Sequence, residues 1–197
     1  MFIFPSIKLH HGQALPSFIM MTDENRLTIS NIDLANLGKN SAIIIRGKSQ
    51  KQRLQLINHF YSIRLKKEFK LLVSDDIELA RDTDGLHIPE RKVGAAKINL
   101  HKWRHKLGIV TASAHSATAI QKAQLLGVDA VLLSPIFETI SHPGANNIGL
   151  LRLARLCHTY KIPIIALGGI KLEHIRAMRN AKAAGIAGIK IFDCKYH

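Results

Sequence analysis

The chain has 197 residues, 47% of them hydrophobic, with 28 Lys plus Arg against 14 Asp plus Glu, a formal net charge of +14. That length suits one core, so a single domain over residues 1–197 is expected, and the apolar fraction excludes a disordered chain. No apolar run reaches the ~18 residues of a membrane helix, and "MFIFPSIKLHHG" lacks the basic start and long apolar stretch of a signal peptide.

A cytoplasmic protein with no membrane partner is therefore expected. Cys157 and Cys194 have neither CxxC nor metal-type spacing, which fits a reducing compartment. The excess positive charge suits nucleic acid or small anions. It is scattered through "KSQKQR", "RLKKEFK", "PERK" and "HKWRHK" without a dominating run or interleaved aromatics, which argues against nucleic acid as the partner.

In chain order, short apolar runs alternate with segments of helical spacing. The runs are "FIMM" from Phe18, "AIIIRG" from Ala42, "FKLLVS" from Phe69, "GLHI" from Gly85, "LGIVT" from Leu107, "AVLLS" from Ala130, "IPIIAL" from Ile162 and "IAGIKIF" from Ile186. Near-continuous apolar character is what strands covered on both faces require. Between them, Leu54, Ile57 and Tyr61 share a helical face, as do Ala119, Ala123 and Leu126, then Leu150, Ala154 and Cys157, then Leu172, Ile175 and Met178. Ser49 and Ser116 stand where N-caps belong, and Gly127 where a helix ends.

Eight strands alternating with helices predict an α/β fold, a compact TIM (β/α)8 barrel. The segments on either side of the fourth run are brief, so one or two outer helices should be single turns. Only "DCKYH" follows the last run, so the eighth helix is expected to be missing or truncated. The outer face of strand eight then needs cover from the N-terminal segment or from a second subunit in a homo-oligomer.

Such barrels carry their functional groups at the C-terminal strand ends. Those positions hold Thr22 and Asp23; Arg46 and Lys48; Ser74, Asp75 and Asp76; His87 and Glu90; Ser113 and His115; Ser134, Thr139 and His142; Gly168 and Gly169; and Asp193. In "IPIIALGGIKLEHI", Gly168 and Gly169 sit between the seventh strand and a helix. Paired glycines at such a junction fit either a tight turn or a phosphate held by bare backbone amides. His87, inside a strand, reads as structural, whereas His115 reads equally as a buried histidine or as an acid–base group.

Four stretches follow one another at a spacing that resembles the thiamine phosphate synthase and TenI family: "ASAHS", "GVDAVLLSPIFET", "IPIIALGGI" and "AAGIAGIKIF". "IIIRGK" and "VSDDIELA" resemble its second and third strand ends, so the likeness runs from Phe18 to Phe192. The resemblance implies a barrel that binds hydroxyethylthiazole phosphate, with the phosphate on Gly168 and Gly169. Synthases of the family join it to a pyrimidine methyl diphosphate and expel pyrophosphate with a magnesium ion, whereas TenI-like members shift a proton on a thiazole carboxylate phosphate. By position, the resemblance implies Arg46 and Lys48 on the diphosphate, Asp75 as a magnesium ligand, and Ser74, Ser113 and Thr139 as polar groups around the substrates.

The departures from the family pattern are specific. Ile44 replaces a glutamine, Ser74 an asparagine, and Lys92 the second acidic magnesium ligand, with Glu90 close by. His142 replaces a lysine, Asp193 a serine, and Pro135 the acid–base histidine of TenI, which leaves His142, His115 and Glu138 as the groups able to move a proton. The expected function is the pyrophosphate-releasing coupling of a synthase, with a TenI-like thiazole tautomerase and a non-catalytic relative that binds a phosphate ligand as the alternatives.

Overall fold

The computed structural model describes residues 4–22, 37–64, 67–94, 100–139 and 146–189. Eight parallel strands close into one barrel in chain order: β1 Phe18–Met21, β2 Ser41–Ile45, β3 Lys70–Ser74, β4 Gly85–Ile88, β5 Ile109–Ala114, β6 Ala130–Leu133, β7 Ile164–Leu167 and β8 Gly185–Gly188. Closure leaves no sheet edge, because β8 pairs with β1 through Phe18 opposite Ile186. Each expected strand is present, offset by up to two residues at its start.

Side-chain alternation divides the apolar residues into two layers. Ile19, Met21, Ala42, Ile44, Leu72, Ile109, Leu132, Ile165 and Ala187 form the inner cluster. Met20, Ile43, Ile45, Leu71, Val73, Leu86, Val110, Val131, Ile164 and Ile186 belong to the outer cluster that receives the helices. The inner set turns polar toward the C-terminal ends of β3 to β5, where Ser74, His87 and Thr111 are all buried.

The outer ring is uneven. Its long members are α1 Gln50–Arg64, α5 Ala117–Leu126 and α6 Gly149–Thr159, while α2 Ile77–Ala80, α3 Glu90–Val93 and α4 Leu100–Trp103 are single turns, as the brief connections predict, and α7 Ile175–Asn180 has six residues. The buried faces differ from the expected ones. In α1, Leu56, Ile57 and Phe60 are buried and Leu54 is 45% exposed. In α6, Leu153 and Leu156 are buried and Leu150 lies near the surface, and Leu172 is likewise exposed. Apolar residues flanking each true stripe make neighbouring faces look alike in sequence.

The caps follow the sequence. The Ser49 hydroxyl accepts from the Gln52 N–H at 3.2 Å, and the Ser116 hydroxyl from the Ala119 N–H at 3.1 Å. Gly127 ends α5 in the left-handed conformation at φ 80°. Replacing Ser116 by alanine strands an amide at the start of α5 and should lower stability by about 1 kcal/mol in urea melts, with no change in the folded spectrum.

On strand eight Ile186 is buried, and Phe4 of the N-terminal segment belongs to the same outer cluster. Phe4 meets Phe18 of β1 edge-on, with centroids 5.6 Å apart. The N-terminal segment thus packs on neighbouring β1, and α7 lies against β8; residues 190–197, where an eighth helix would start, lie outside the described residues. The N-terminal segment has a second role that its local pattern does not announce. Lys8 and Ala14 form an antiparallel bridge, and Leu9 and Leu15 pack under Ile109 and Ala184, so a small hairpin closes the lower end of the barrel. Asp129 fixes the same end, because its carboxylate accepts from Arg104 Nη2 on both oxygens at 2.7 Å and from the Val110 N–H at 2.7 Å.

Candidate functional site

The upper mouth collects the strand-end residues. At the end of β2, Arg46 is fixed through its backbone: its N–H donates to the Thr22 hydroxyl at 2.7 Å, and that hydroxyl donates to the Arg46 carbonyl at 3.1 Å. Lys48 is exposed two residues on, its N–H held by Gln52 Oε1 at 2.7 Å. The Gly47 carbonyl accepts from Arg53 Nη1 at 2.6 Å. Arg53 also pairs with Asp76, which in turn caps α2 through the Leu79 N–H, so Asp76 is a structural carboxylate of the loop.

At the end of β3, Ser74 is buried beside His87 in the strand register. Asp75 then turns into the left-handed region at φ 64°, where a short polar side chain is tolerated, and its N–H donates to the His87 carbonyl at 3.0 Å. Its carboxylate is bracketed by cations: Arg91 Nη2 lies 2.6 Å from Oδ2, and Lys92 Nζ contacts Oδ1. Both cations come from α3, the single turn that follows β4.

His87 of β4 is 1% exposed, with Nδ1 2.9 Å from the Thr111 hydroxyl and Nε2 2.9 Å from the Ser113 hydroxyl. Burial, helped by the positive charge of Arg46 and opposed by Asp75, pushes its pKa down to about 3. The ring is therefore neutral, one nitrogen donating and the other accepting, and it orients both hydroxyls. It is structural, as its strand position suggested, but it also fixes Ser113, which the resemblance implies is a substrate-binding group. His115 is not a buried histidine: it is half-exposed, and Nδ1 lies 2.5 Å from Glu90 Oε2. His142, Asp23 and Asp193 lie outside the described residues.

The loops after β6 and β7 are locked together. The Ile136 N–H donates to the Leu167 carbonyl at 2.9 Å and the Phe137 N–H to the Gly168 carbonyl at 3.1 Å. Gly168 and Gly169 are both left-handed, at φ 94° and 66°. A Cβ on Gly168 would sit 3.0 Å from the Pro135 Cα, and one on Gly169 would sit 2.8 Å from the Phe137 Cβ, so both positions require glycine for conformation and for space. Neither glycine N–H has a hydrogen-bond acceptor among the described residues, which leaves two adjacent donors at the mouth. The chain continues into a 3-10 turn at Leu172–His174 before the short α7, so loop amides rather than a helix end supply the donors. Glu138 is exposed and Thr139 half-buried beside this turn.

A magnesium ion does not fit the donors present. Asp75 is already paired with two cations, Lys92 stands where the resemblance implies the second acidic ligand, and Glu90 is engaged by His115. Among the described residues no three His, Cys, Asp or Glu side chains converge on a metal site. A divalent hard cation needs several oxygen ligands and is repelled by a neighbouring ammonium. Arg91 escaped the sequence reading, although "PERK" directly after the fourth strand was the signal available for it.

Comparison with known proteins accords with this geometry. The chain matches the family described as thiamine monophosphate synthase over residues 18–192. It is 41% identical to the putative thiamine-phosphate synthase 2 of Aquifex aeolicus over 65% of this chain and 69% of that protein. It is 28% identical to the thiamine-phosphate synthase of Halalkalibacterium halodurans over 79% of this chain and 75% of that protein. The fold superimposes on thiamine phosphate pyrophosphorylase from Pyrococcus furiosus with a TM-score of 0.70 at 22% identity, covering 89% of this chain and 86% of the other. With the family pattern extending from β1 past β8, the chain belongs to the thiamine monophosphate synthase family.

Proposed function

We propose that the protein is a cytoplasmic enzyme of thiamine biosynthesis that couples hydroxyethylthiazole phosphate to a pyrimidine methyl diphosphate. In the coupling, the thiazole nitrogen lone pair forms a bond to the pyrimidine methylene carbon while the C–O bond to the diphosphate breaks. The electron pair of that bond leaves on pyrophosphate, and the thiazole becomes a thiazolium cation, so no proton need be moved. The observation that carries the reading is the pair of amides at Gly168 and Gly169, without an acceptor among the described residues, on a turn within the matched family span. Two adjacent N–H donors on bare backbone suit a phosphate monoester.

Support on the opposite side of the mouth comes from Arg46 and Lys48 for the diphosphate, since a guanidinium fork and an ammonium both hold phosphate oxygens. The Ser113 hydroxyl, oriented by His87, is a neutral donor for the substrate between these two anionic ends. Excluding water from this mouth strengthens each of these contacts.

Incubation with both substrates should yield thiamine phosphate and pyrophosphate in equal amounts, followed by chromatography and a phosphate-release assay. An Arg46→Ala variant should react at least about tenfold more slowly, the factor one lost charge-assisted contact supplies. The close His115–Glu90 pair favours a second reading, a proton shift on a thiazole carboxylate phosphate. Turnover of that compound without any pyrimidine substrate, together with no pyrophosphate release, would replace the first reading by the second.

A further inference from the structure

We propose that Arg91 and Lys92, seated on Asp75, form a protein-built cation clamp that receives the diphosphate where a synthase would use a magnesium ion. The clamp presupposes the coupling reaction proposed above and specifies how its leaving group is held.

Its basis is the charge arrangement around Asp75. One carboxylate meets two cations, so the cluster keeps a net positive charge after the ion pairs are counted. The carboxylate is the inner group, at 20% side-chain exposure, and the cations are the outer ones, at 69% for Arg91 and 43% for Lys92. Arg carries five N–H donors and Lys three, and one contact of each to Asp75 leaves further donors on two exposed side chains at the C-terminal end of β4. A flexible cationic pair would lose side-chain freedom on gripping an anion; anchoring on Asp75 removes part of that cost in advance.

Neighbouring elements complete the frame. Arg46 closes β2 and Asp75 closes β3, and the charges of both act on the buried His87 of β4. Because that ring is neutral, the positive potential at the mouth comes from the rim. When the C–O bond breaks, negative charge accumulates on the departing diphosphate. Fixed guanidinium and ammonium groups stabilise that charge as a bound metal does, without metal ligands. The exchange of an acidic ligand for Lys92 thus changes which partner neutralises the pyrophosphate and leaves the reaction class intact.

The test is titration calorimetry of the whole chain with inorganic pyrophosphate, in EDTA and in excess magnesium, with hydroxyethylthiazole phosphate as a separate ligand. Pyrophosphate should bind in EDTA, and magnesium should not strengthen it. Lys92→Gln and Arg91→Gln should each weaken it at least about tenfold, the loss expected for one charge-assisted contact. Lys39→Gln, which removes the same charge from an exposed lysine just before β2 at the opposite end of the barrel, should leave it unchanged. Binding that requires magnesium overturns the clamp, as does binding in EDTA that ignores Lys92 and Arg91 or that falls equally with Lys39→Gln. Failure of pyrophosphate with retained thiazole phosphate binding removes the clamp alone; failure of both ligands removes the proposed function as well.

Discussion

Replacing Gly169 with alanine is expected to abolish binding of hydroxyethylthiazole phosphate while leaving a folded barrel. Two costs combine at this position. At φ 66° an L-residue is in the left-handed region, which costs about 1–2 kcal/mol. The added methyl would also lie 2.8 Å from the Phe137 Cβ and 2.9 Å from the Phe137 carbonyl carbon. The carbon of a peptide group cannot yield as the end of a flexible side chain can, so the β7 turn must move away from the β6 loop. That movement redirects the two amides on which the proposed phosphate site depends.

A second glycine separates the loss of the site from the loss of stability. Gly127 is left-handed at φ 80°, and a methyl there would meet open space. Gly127→Ala should therefore carry only the conformational cost, about 1 kcal/mol in urea melts, and bind the thiazole phosphate as the unaltered chain does. Gly169→Ala should lose more stability than Gly127→Ala and show no measurable heat with the ligand in calorimetry. Unchanged affinity in Gly169→Ala would mean that the anion does not sit on this turn.

What the sequence made legible follows from the range of the interactions concerned. The strands were readable because burial on both faces forces runs such as "AIIIRG" and "AVLLS", a signal contained within a few residues. The caps at Ser49, Ser116 and Gly127 were readable for the same reason, since each rests on a hydrogen bond or a dihedral inside one turn. The glycine pair announced itself because only glycine is free at successive positive φ values.

Contacts between distant segments were not readable. Nothing local says that Leu9 and Leu15 close the barrel below Ile109, or that Asp129 collects Arg104 and the Val110 amide. The same limit applies at the mouth. Lys92 could be recognised as an unexpected residue at a ligand position, but its pairing with Asp75, seventeen positions earlier in the chain, required the β3–β4 register. His115 could be read as buried or as reactive until its partner Glu90, the first residue of α3, came into view. The helix faces of α1 and α6 were displaced because Leu54 and Leu150 are apolar yet exposed, a common event that periodicity cannot detect.

The second large effect belongs to His87 and to acid. In the unfolded chain this histidine titrates near 6.5, whereas in the folded barrel burial pushes its pKa down to about 3. Between those values the unfolded state takes up a proton that the folded state refuses, so stability must fall as pH falls. Above pH 6.5 the ring is neutral in both states and contributes no pH dependence. Below it the loss grows to about 2 kcal/mol near pH 5 and about 4–5 kcal/mol by pH 3. His87→Gln retains a donor and an acceptor for Thr111 and Ser113 but cannot titrate, so it should be less stable at pH 7.5 and should lose less on acidification. Urea melts of both proteins at pH 7.5, 6 and 5 isolate the effect of His87, because the other histidines and the carboxylates are common to both. Parallel curves would mean that the folded barrel accepts a proton on His87, and Ser113 would then face a cation rather than a neutral ring. With the ring neutral, the proposed site meets substrate charge with Arg46, Lys48, the α3 cations and the Gly168 and Gly169 amides, so Lys92 in place of an acidic residue bears on the proposed chemistry of the whole site.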